Sequence, residues 1–436
     1  MERRGFLART GLALGASAFS PQALLRAQAA ADRLPDLSSW DAVRAEFDGL
    51  DPKLVHMASF FLTSHPRPVR EAIERYRREL DAHAVGYIFG NEERLEGETL
   101  AAAAAYLGVQ PTEIALTDST TVGLGLLYGG LKLAPGQEIL TTTHDHYSTE
   151  TALQLRAERT GAKVRRVALY AKPSAASVDE VVGNLTKAIT PETRYLAVTW
   201  VHSSTGVKLP IRAMADALAN VNAKRDAKDH VIFCVDGLHG LGIEDVKLPD
   251  LGCDFFIAGC HKWLFGPRGT GLVWGRPEAW THAQATIPTF NFEAYEMWMG
   301  VRPQRELPVS VRFSPGGFHA FEHRWALPVA FAFHQRIGKP RVEARIHALN
   351  TQLKDGLTVM KNVTLHTPRN PALSVGIVCF DVAGMSAEDV AKSLLARGIS
   401  ASITPYKTQY ARLAPSLVTS TADVDRTLAE VRTLAG

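Results

Sequence analysis

The sequence predicts an α/β protein with a large, mostly parallel sheet domain and a smaller α+β C-terminal domain, and three observations carry that prediction. The chain has 436 residues, more than one ordinary core encloses, and 46% of them are hydrophobic, enough to bury two. From about residue 95, short β-rich runs alternate with segments of helical spacing, the order expected of a parallel sheet covered by helices. Beyond about residue 310 that rhythm gives way to long helices with two β-rich runs among them. The division that follows is an N-terminal arm over 30–75, a large domain over 76–310 and a small C-terminal domain over 311–436.

Taken in order, strands are expected over 113–117, 138–142, 163–169, 195–201, 231–236, 255–259 and 270–274. Val231, Ile232, Phe233, Cys234 and Val235 form a continuous apolar run, as a strand buried on both faces requires. The segment 211–223 between two such runs has helical spacing. A sheet of this kind places its chemistry at strand ends. Further on, Val342, Ile346, Leu349, Leu353 and Leu357 mark one face of a long helix. Ser386 caps another that ends at Gly398, and Val424, Leu428, Val431 and Leu434 mark a terminal one. Strands over 375–382 and 399–404 lie among them; the apolar stripes are core faces, and no internal repeat is evident.

Charged residues at 21% and seven tryptophans argue against disorder. Forty-eight Lys+Arg against 45 Asp+Glu, with no basic block, give no footprint for nucleic acid. The four cysteines, Cys234, Cys253, Cys260 and Cys379, are too few and too scattered for a disulfide framework and form no CxxC pair. The formal charge of +3 is concentrated at the start: Arg3, Arg4, Arg9 and Arg26 against Glu2 account for all of it. Arg3-Arg4 followed by Phe6-Leu7, a weakly apolar stretch from Gly11 to Phe19, and Ala27-Gln28-Ala29 resemble a twin-arginine export signal with its cleavage site. The signal is expected over 1–29, with export to the periplasm and a mature chain that is formally neutral. The alternative is an amphipathic N-terminal arm or an uncleaved anchor. No other uncharged apolar run is long enough to span a bilayer.

Four segments carry candidate chemistry. Ala258-Gly259-Cys260-His261-Lys262 ends an apolar strand in a glycine-flanked turn. A lysine there meets a desolvation cost, so Lys262 is either a buried ion-pair partner or an activated amine. Asp236 ends another apolar strand twenty-six residues earlier, followed by Gly237, Leu238 and His239. An acid and a lysine at neighbouring strand ends meet the two polar needs of pyridoxal 5′-phosphate (PLP): a carboxylate against the pyridine nitrogen and a Schiff-base lysine. Ser119-Thr120-Thr121 follows a strand and opens a helix, which suits a phosphate dianion or an ordinary helix cap. His144 and His146, at the next strand end, are a ring cover for a planar cofactor, a metal pair lacking a third ligand, or loop residues without a role.

These residues together resemble the class V aminotransferases, the branch of fold-type-I PLP enzymes that holds cysteine desulfurases and isopenicillin-N-epimerase-like proteins. The resemblance runs from about residue 40 to the end, with His261-Lys262 followed by Gly266-Pro267 as its hallmark. It implies that Lys262 is the Schiff-base lysine, that Asp236 pairs with the pyridine nitrogen, and that His261, Ser119, Thr120 and Thr121 hold the phosphate. It further implies that His144 covers the ring and that His239 lies near the phenolic oxygen. Tyr410-Ala411-Arg412-Leu413 is similar to the segment whose arginine grips the substrate carboxylate, a role suited to a planar guanidinium. Relatives are commonly homodimers, so a homodimer is expected.

The chain departs from the family in four places. Gly259 stands where relatives often have serine, and Ser203 where many have a strand-end asparagine. Gly316-Gly317 aligns with the glycine-threonine pair by which a neighbouring subunit reaches the phosphate in desulfurases, although Phe318, His319, His323 and Arg324 follow. No cysteine lies between Ile399 and Arg412, where a desulfurase needs its thiolate. The expectation is an exported PLP enzyme acting on the amino group of an amino acid or peptidic amine, transamination-like before epimerisation, without metal. A catalytically idle PLP-binding module is the alternative from another class. An exported member also resembles periplasmic PLP enzymes that tailor a siderophore such as pyoverdine.

Overall fold

The structure is a computed structural model and describes residues 34–436, so the export signal read from residues 1–29 lies outside the described residues. The chain passes through a short helix, Trp40–Ala45, into β1 (Val55–His56) and then a 41-residue helix, Arg67–Leu107. Seven strands follow: β2 (Ile114–Thr117), β3 (Glu138–Thr142), β4 (Lys163–Val167), β5 (Thr193–Thr199), β6 (Ile232–Asp236), β7 (Phe255–Gly259) and β8 (Gly271–Gly275). They form one sheet in the order β2-β8-β7-β6-β5-β3-β4, antiparallel only where β8 meets β2 and β7. All seven expected strands are present, each within two residues at either end.

Alternation along the strands explains why the sheet is buried on both sides. Phe233, Val235, Phe256 and Ala258 face one core, while Cys234 and Ile257 between them face the other. Side chains two apart share a face, so a run apolar at every position feeds both layers. Edge strand β4, with Lys163, Arg165 and Arg166, has no buried residue, as an unpaired edge favours.

After β8 come the helices Phe321–Ile337 and Lys339–Thr358, then β9 (Val363–Leu365), β10 (Val378–Val382), β11 (Ile399–Ser400), β12 (Ser402–Ile403) and β13 (Ala411–Leu413). A four-stranded antiparallel sheet runs β12-β13-β10-β9. Helix Ala387–Ala396 carries the expected Ser386 cap, and Thr421–Ala435 closes the chain. Leu349, Leu353, Leu357, Val424 and Val431 pack with the strands into a separate core. Val55 and Met57 belong to that core too, because β1 pairs in parallel with β11, Val55 opposite Ile399. From there residues 57–65 cross to the large sheet as a strap, tied by Ala414 N–H to Met57 O (2.7 Å) at one end and Thr63 Oγ1 to His261 O (2.9 Å) at the other. No helix among the described residues is long and apolar enough to cross a membrane.

Candidate active site

Strands β2, β3, β5, β6 and β7 run the same way, so their C-terminal ends share one edge. Ser119–Thr121, His144, Ser203, Asp236 and His239, and His261–Lys262 lie at or just beyond those ends. The sixth contribution, Arg412 on β13, comes from the small sheet.

Asp236 closes β6 and is 3% exposed. Burial pushes its carboxyl up to about 7, against the Leu238 N–H (3.1 Å to Oδ1) and the Lys262 charge, which favour the carboxylate. Lys262, just beyond β7, is half-buried, and its amine has no hydrogen-bonded partner among the described residues. Burial brings it down to about 8; Asp236 opposes that shift and Arg412 adds to it. The sequence left open a buried ion pair or an activated amine, and the geometry is that of an amine without a contact partner.

The phosphate candidates divide by what their hydroxyls already do. Ser119 caps the helix Thr120–Gly130, its Oγ accepting from Val122 N–H. The Thr120 hydroxyl accepts from Gly259 N–H at 2.8 Å, tying the start of that helix to the end of β7, and exposed Thr121 meets Ser148 at 3.2 Å. His261 Nδ1 is buried without a hydrogen bond. A helix N-terminus of hydroxyls beside an unsatisfied imidazole nitrogen is a donor set that fits a phosphate. Gly259 is explained by the same crowding: a Cβ there would lie 2.8 Å from His261 Cε1 and 3.0 Å from Thr120 Oγ1. The serine of relatives would displace His261.

His239 is buried, and its Nδ1 accepts from Trp263 Nε1–H at 3.1 Å, which leaves Nε2 as the protonated nitrogen. Burial, with Lys262 and Arg412 nearby, holds its pKa well below the usual range, so it is a neutral donor. His144 is half-buried and stacks on Tyr170 with centroids 4.4 Å apart. Arg412, 4% exposed, lies over the Phe60 ring of the strap at 4.7 Å. It donates to Ser402 Oγ (3.2 Å), Ser203 O (3.0 Å) and Ile403 O (2.6 Å). Three of the five guanidinium N–H groups are engaged, leaving one on each terminal nitrogen, the pair a carboxylate takes bidentately. Ser203 also meets Tyr406 Oη through its hydroxyl at 2.7 Å.

Sequence reading missed Phe60, Tyr170, His202, Trp263 and Tyr406. Trp263 follows Lys262 directly, and His202 lies beside Ser203 at a strand end, so their positions were a usable signal. Phe60 comes from a segment remote in sequence, and Tyr406, six residues before Arg412, meets Ser203 only across the fold, so neither gave one.

The fold and this arrangement of lysine, buried acid and phosphate cradle are those of a fold-type-I PLP-dependent enzyme. The model of the class V aminotransferases matches residues 63–403, and the chain belongs to that family, with PLP as its cofactor. An isopenicillin N epimerase from Streptomyces clavuligerus is 25% identical over 407 residues, covering 92% of this chain and 99% of the relative. A "Probable cysteine desulfurase" from Halalkalibacterium halodurans is 26% identical over 359 residues, covering 80% and 82%. Among solved structures, a C-DES mutant with glycine covalently linked to the PLP cofactor superposes with a TM-score of 0.80 at 21% identity, covering 89% of this chain and 98% of that one.

Proposed function

We propose that this chain is an exported PLP enzyme acting on the amino group of an amino acid or peptidic amine, transamination-like. The observation that carries the reading is the pair formed by Lys262, a half-buried amine with a lowered pKa, and Asp236, a buried acid at the adjacent strand end. When bound, PLP supplies an electron sink for charge developing at the carbon next to the amine. In this reading Lys262 would hold the cofactor covalently and, once the substrate amine has displaced it, would use its freed amine to move the α-proton, while Asp236 would keep a proton on the pyridine nitrogen. His261, with the Ser119–Thr121 turn, would bind the phosphate, and His239 would offer its Nε2–H to the phenolic oxygen. Arg412 orients the substrate carboxylate through its two free N–H groups, and Ser203 keeps the guanidinium in place.

Desulfuration is disfavoured because all four cysteines are buried. Cys260, two residues before Lys262, and Cys379, opposite Arg412 in the pairing of β10 with β13, have their thiols pushed up to about 12 by burial. The second reading is epimerisation, supported by the likeness to isopenicillin N epimerases. Release of a keto acid identifies transamination; deuterium at an inverted α-carbon in heavy water identifies epimerisation. An unchanged siderophore mass spectrum in a deletion strain would remove the siderophore-tailoring reading. Replacing Lys262 by Ala is expected to abolish retention of cofactor after borohydride reduction; retention in that variant overturns the central assignment. Export rests on Arg3-Arg4 and the Ala27-Gln28-Ala29 site.

A homodimer is part of the same proposal. Phe290 and Phe318 touch edge-on at 5.6 Å, and Tyr295 meets Trp298. Trp298 is 80% exposed and Phe318 77% exposed, the kind of aromatic patch that marks an interaction face.

A further inference from the structure

Behind His144 the structure holds two more rings. The Tyr170 ring lies nearly parallel to the imidazole at 12°, and His202 lies 5.4 Å from His144 at 26°. Tyr170 and His202 are themselves only 5.8 Å apart. Were they on opposite faces of His144, that separation would approach the sum of their distances to it. The two rings therefore do not sandwich the half-buried imidazole, and no further aromatic ring among the described residues stacks on its other face.

The backing pair is fixed. Tyr170 is 2% exposed and His202 fully buried. Tyr170 Oη lies 2.8 Å from His202 Nδ1 and 3.0 Å from Thr205 Oγ1, so the phenol donates to one and accepts from the other. Burial drives the His202 pKa well below the usual range and that of Tyr170 well above it. The backing is neutral at working pH and does not loosen by titration. His144 reaches this position through a short, sequence-local turn: its N–H donates to Thr142 Oγ1, and neighbouring Asp145 is locked by Thr141, Thr142 N–H and Thr199 N–H. That turn fixes the backbone of His144, while no described residue hydrogen-bonds its ring. The ring plane is set by what it leans on.

We propose that Tyr170, anchored by His202 and Thr205, is a positioning residue for the cofactor, holding the His144 imidazole flat so that the face turned away from Tyr170 meets the pyridine ring. The proposal rests on the reading of His144 as the ring cover, and its test separates the two. PLP is titrated into the apoenzyme of the full mature chain. Affinity is read by fluorescence quenching, ring orientation by the visible circular dichroism of the bound cofactor, and folding by far-ultraviolet dichroism. Base-on-aromatic stacking sets the scale: His144→Ala is expected to weaken PLP binding about tenfold. Tyr170→Leu is expected to weaken it at least about fivefold on the same scale and to diminish the dichroic band. In the His144→Ala background, Tyr170→Leu should add nothing, since a positioning residue acts only through what it positions. Multiplied effects in the double variant overturn the proposal, as does an unchanged band in folded Tyr170→Leu. An unchanged affinity in His144→Ala overturns the ring-cover reading and the proposal with it. Should Tyr170→Leu not fold, Tyr170→Phe and Thr205→Val replace it: each keeps the ring and removes part of its anchor. Each should reduce the dichroic band with about a twofold loss of affinity or less; an undiminished band in both overturns the proposal.

Discussion

Lys262 shows how one side chain acquires a property from its neighbours. Burial disfavours its ammonium, the Arg412 charge adds to that, and Asp236 alone resists it. The lysine therefore becomes a neutral amine at about 8 instead of 10.5, and the proportion of amine rises as pH rises through that value. Competitive acylation of the apoenzyme, read by mass spectrometry at Lys262, should show a midpoint near 8. In Asp236→Asn the midpoint should fall further, because the group that stabilises the charge is gone. A midpoint at the ordinary lysine value would contradict the burial argument. His239 is a second case: Trp263 fixes its tautomer, so the hydrogen it presents is set by a core tryptophan.

At the scale of elements, the helices Arg67–Leu107 and Phe321–Ile337 solve a problem posed by Pro328. Proline has no N–H, so the carbonyl of Arg324, four residues earlier, loses its helical partner. Thr99 of the long helix supplies a hydroxyl, bonded to Leu95 O at 2.8 Å and reaching Arg324 O at 3.4 Å. Thr99→Val is expected to cost about 1 kcal/mol in chemical denaturation, and less in a Pro328→Ala background, where the backbone bond is restored. Equal costs in both backgrounds would show that Thr99 does not serve this carbonyl. The long helix was also the least legible element. None of residues 81–90 is buried, so the apolar periodicity that betrays a helix is missing there. It breaks regular geometry at His83 (φ −158°, ψ 65°), whose ring folds over Gly86, where any Cβ would overlap it. The strands were legible for the opposite reason: two buried faces leave an unbroken apolar run. The site was legible where a strand end supplied residue and position together, as at Asp236 and Lys262. It was not legible where long-range pairing supplied Phe60 and Tyr406.

For the whole molecule, the exposed aromatic patch predicts association. Sedimentation of the mature chain should give a dimer, and Trp298→Glu with Phe318→Glu should shift it to monomer while far-ultraviolet dichroism is retained. A wild-type monomer at micromolar concentration would remove the dimer from the proposal. The pairing of β1 with β11 has a consequence in time. Val55 cannot find Ile399 until more than three hundred further residues have been made, and Phe60 meets Arg412 only after that. Contacts so distant in sequence form late. A chain still being synthesised can complete its large sheet, lysine and acid included, and yet lack the strap's tie to Ala414 and the guanidinium. Under the role proposed for Arg412, competence to receive substrate arrives with the last few dozen residues, and a chain interrupted before them lacks that arginine.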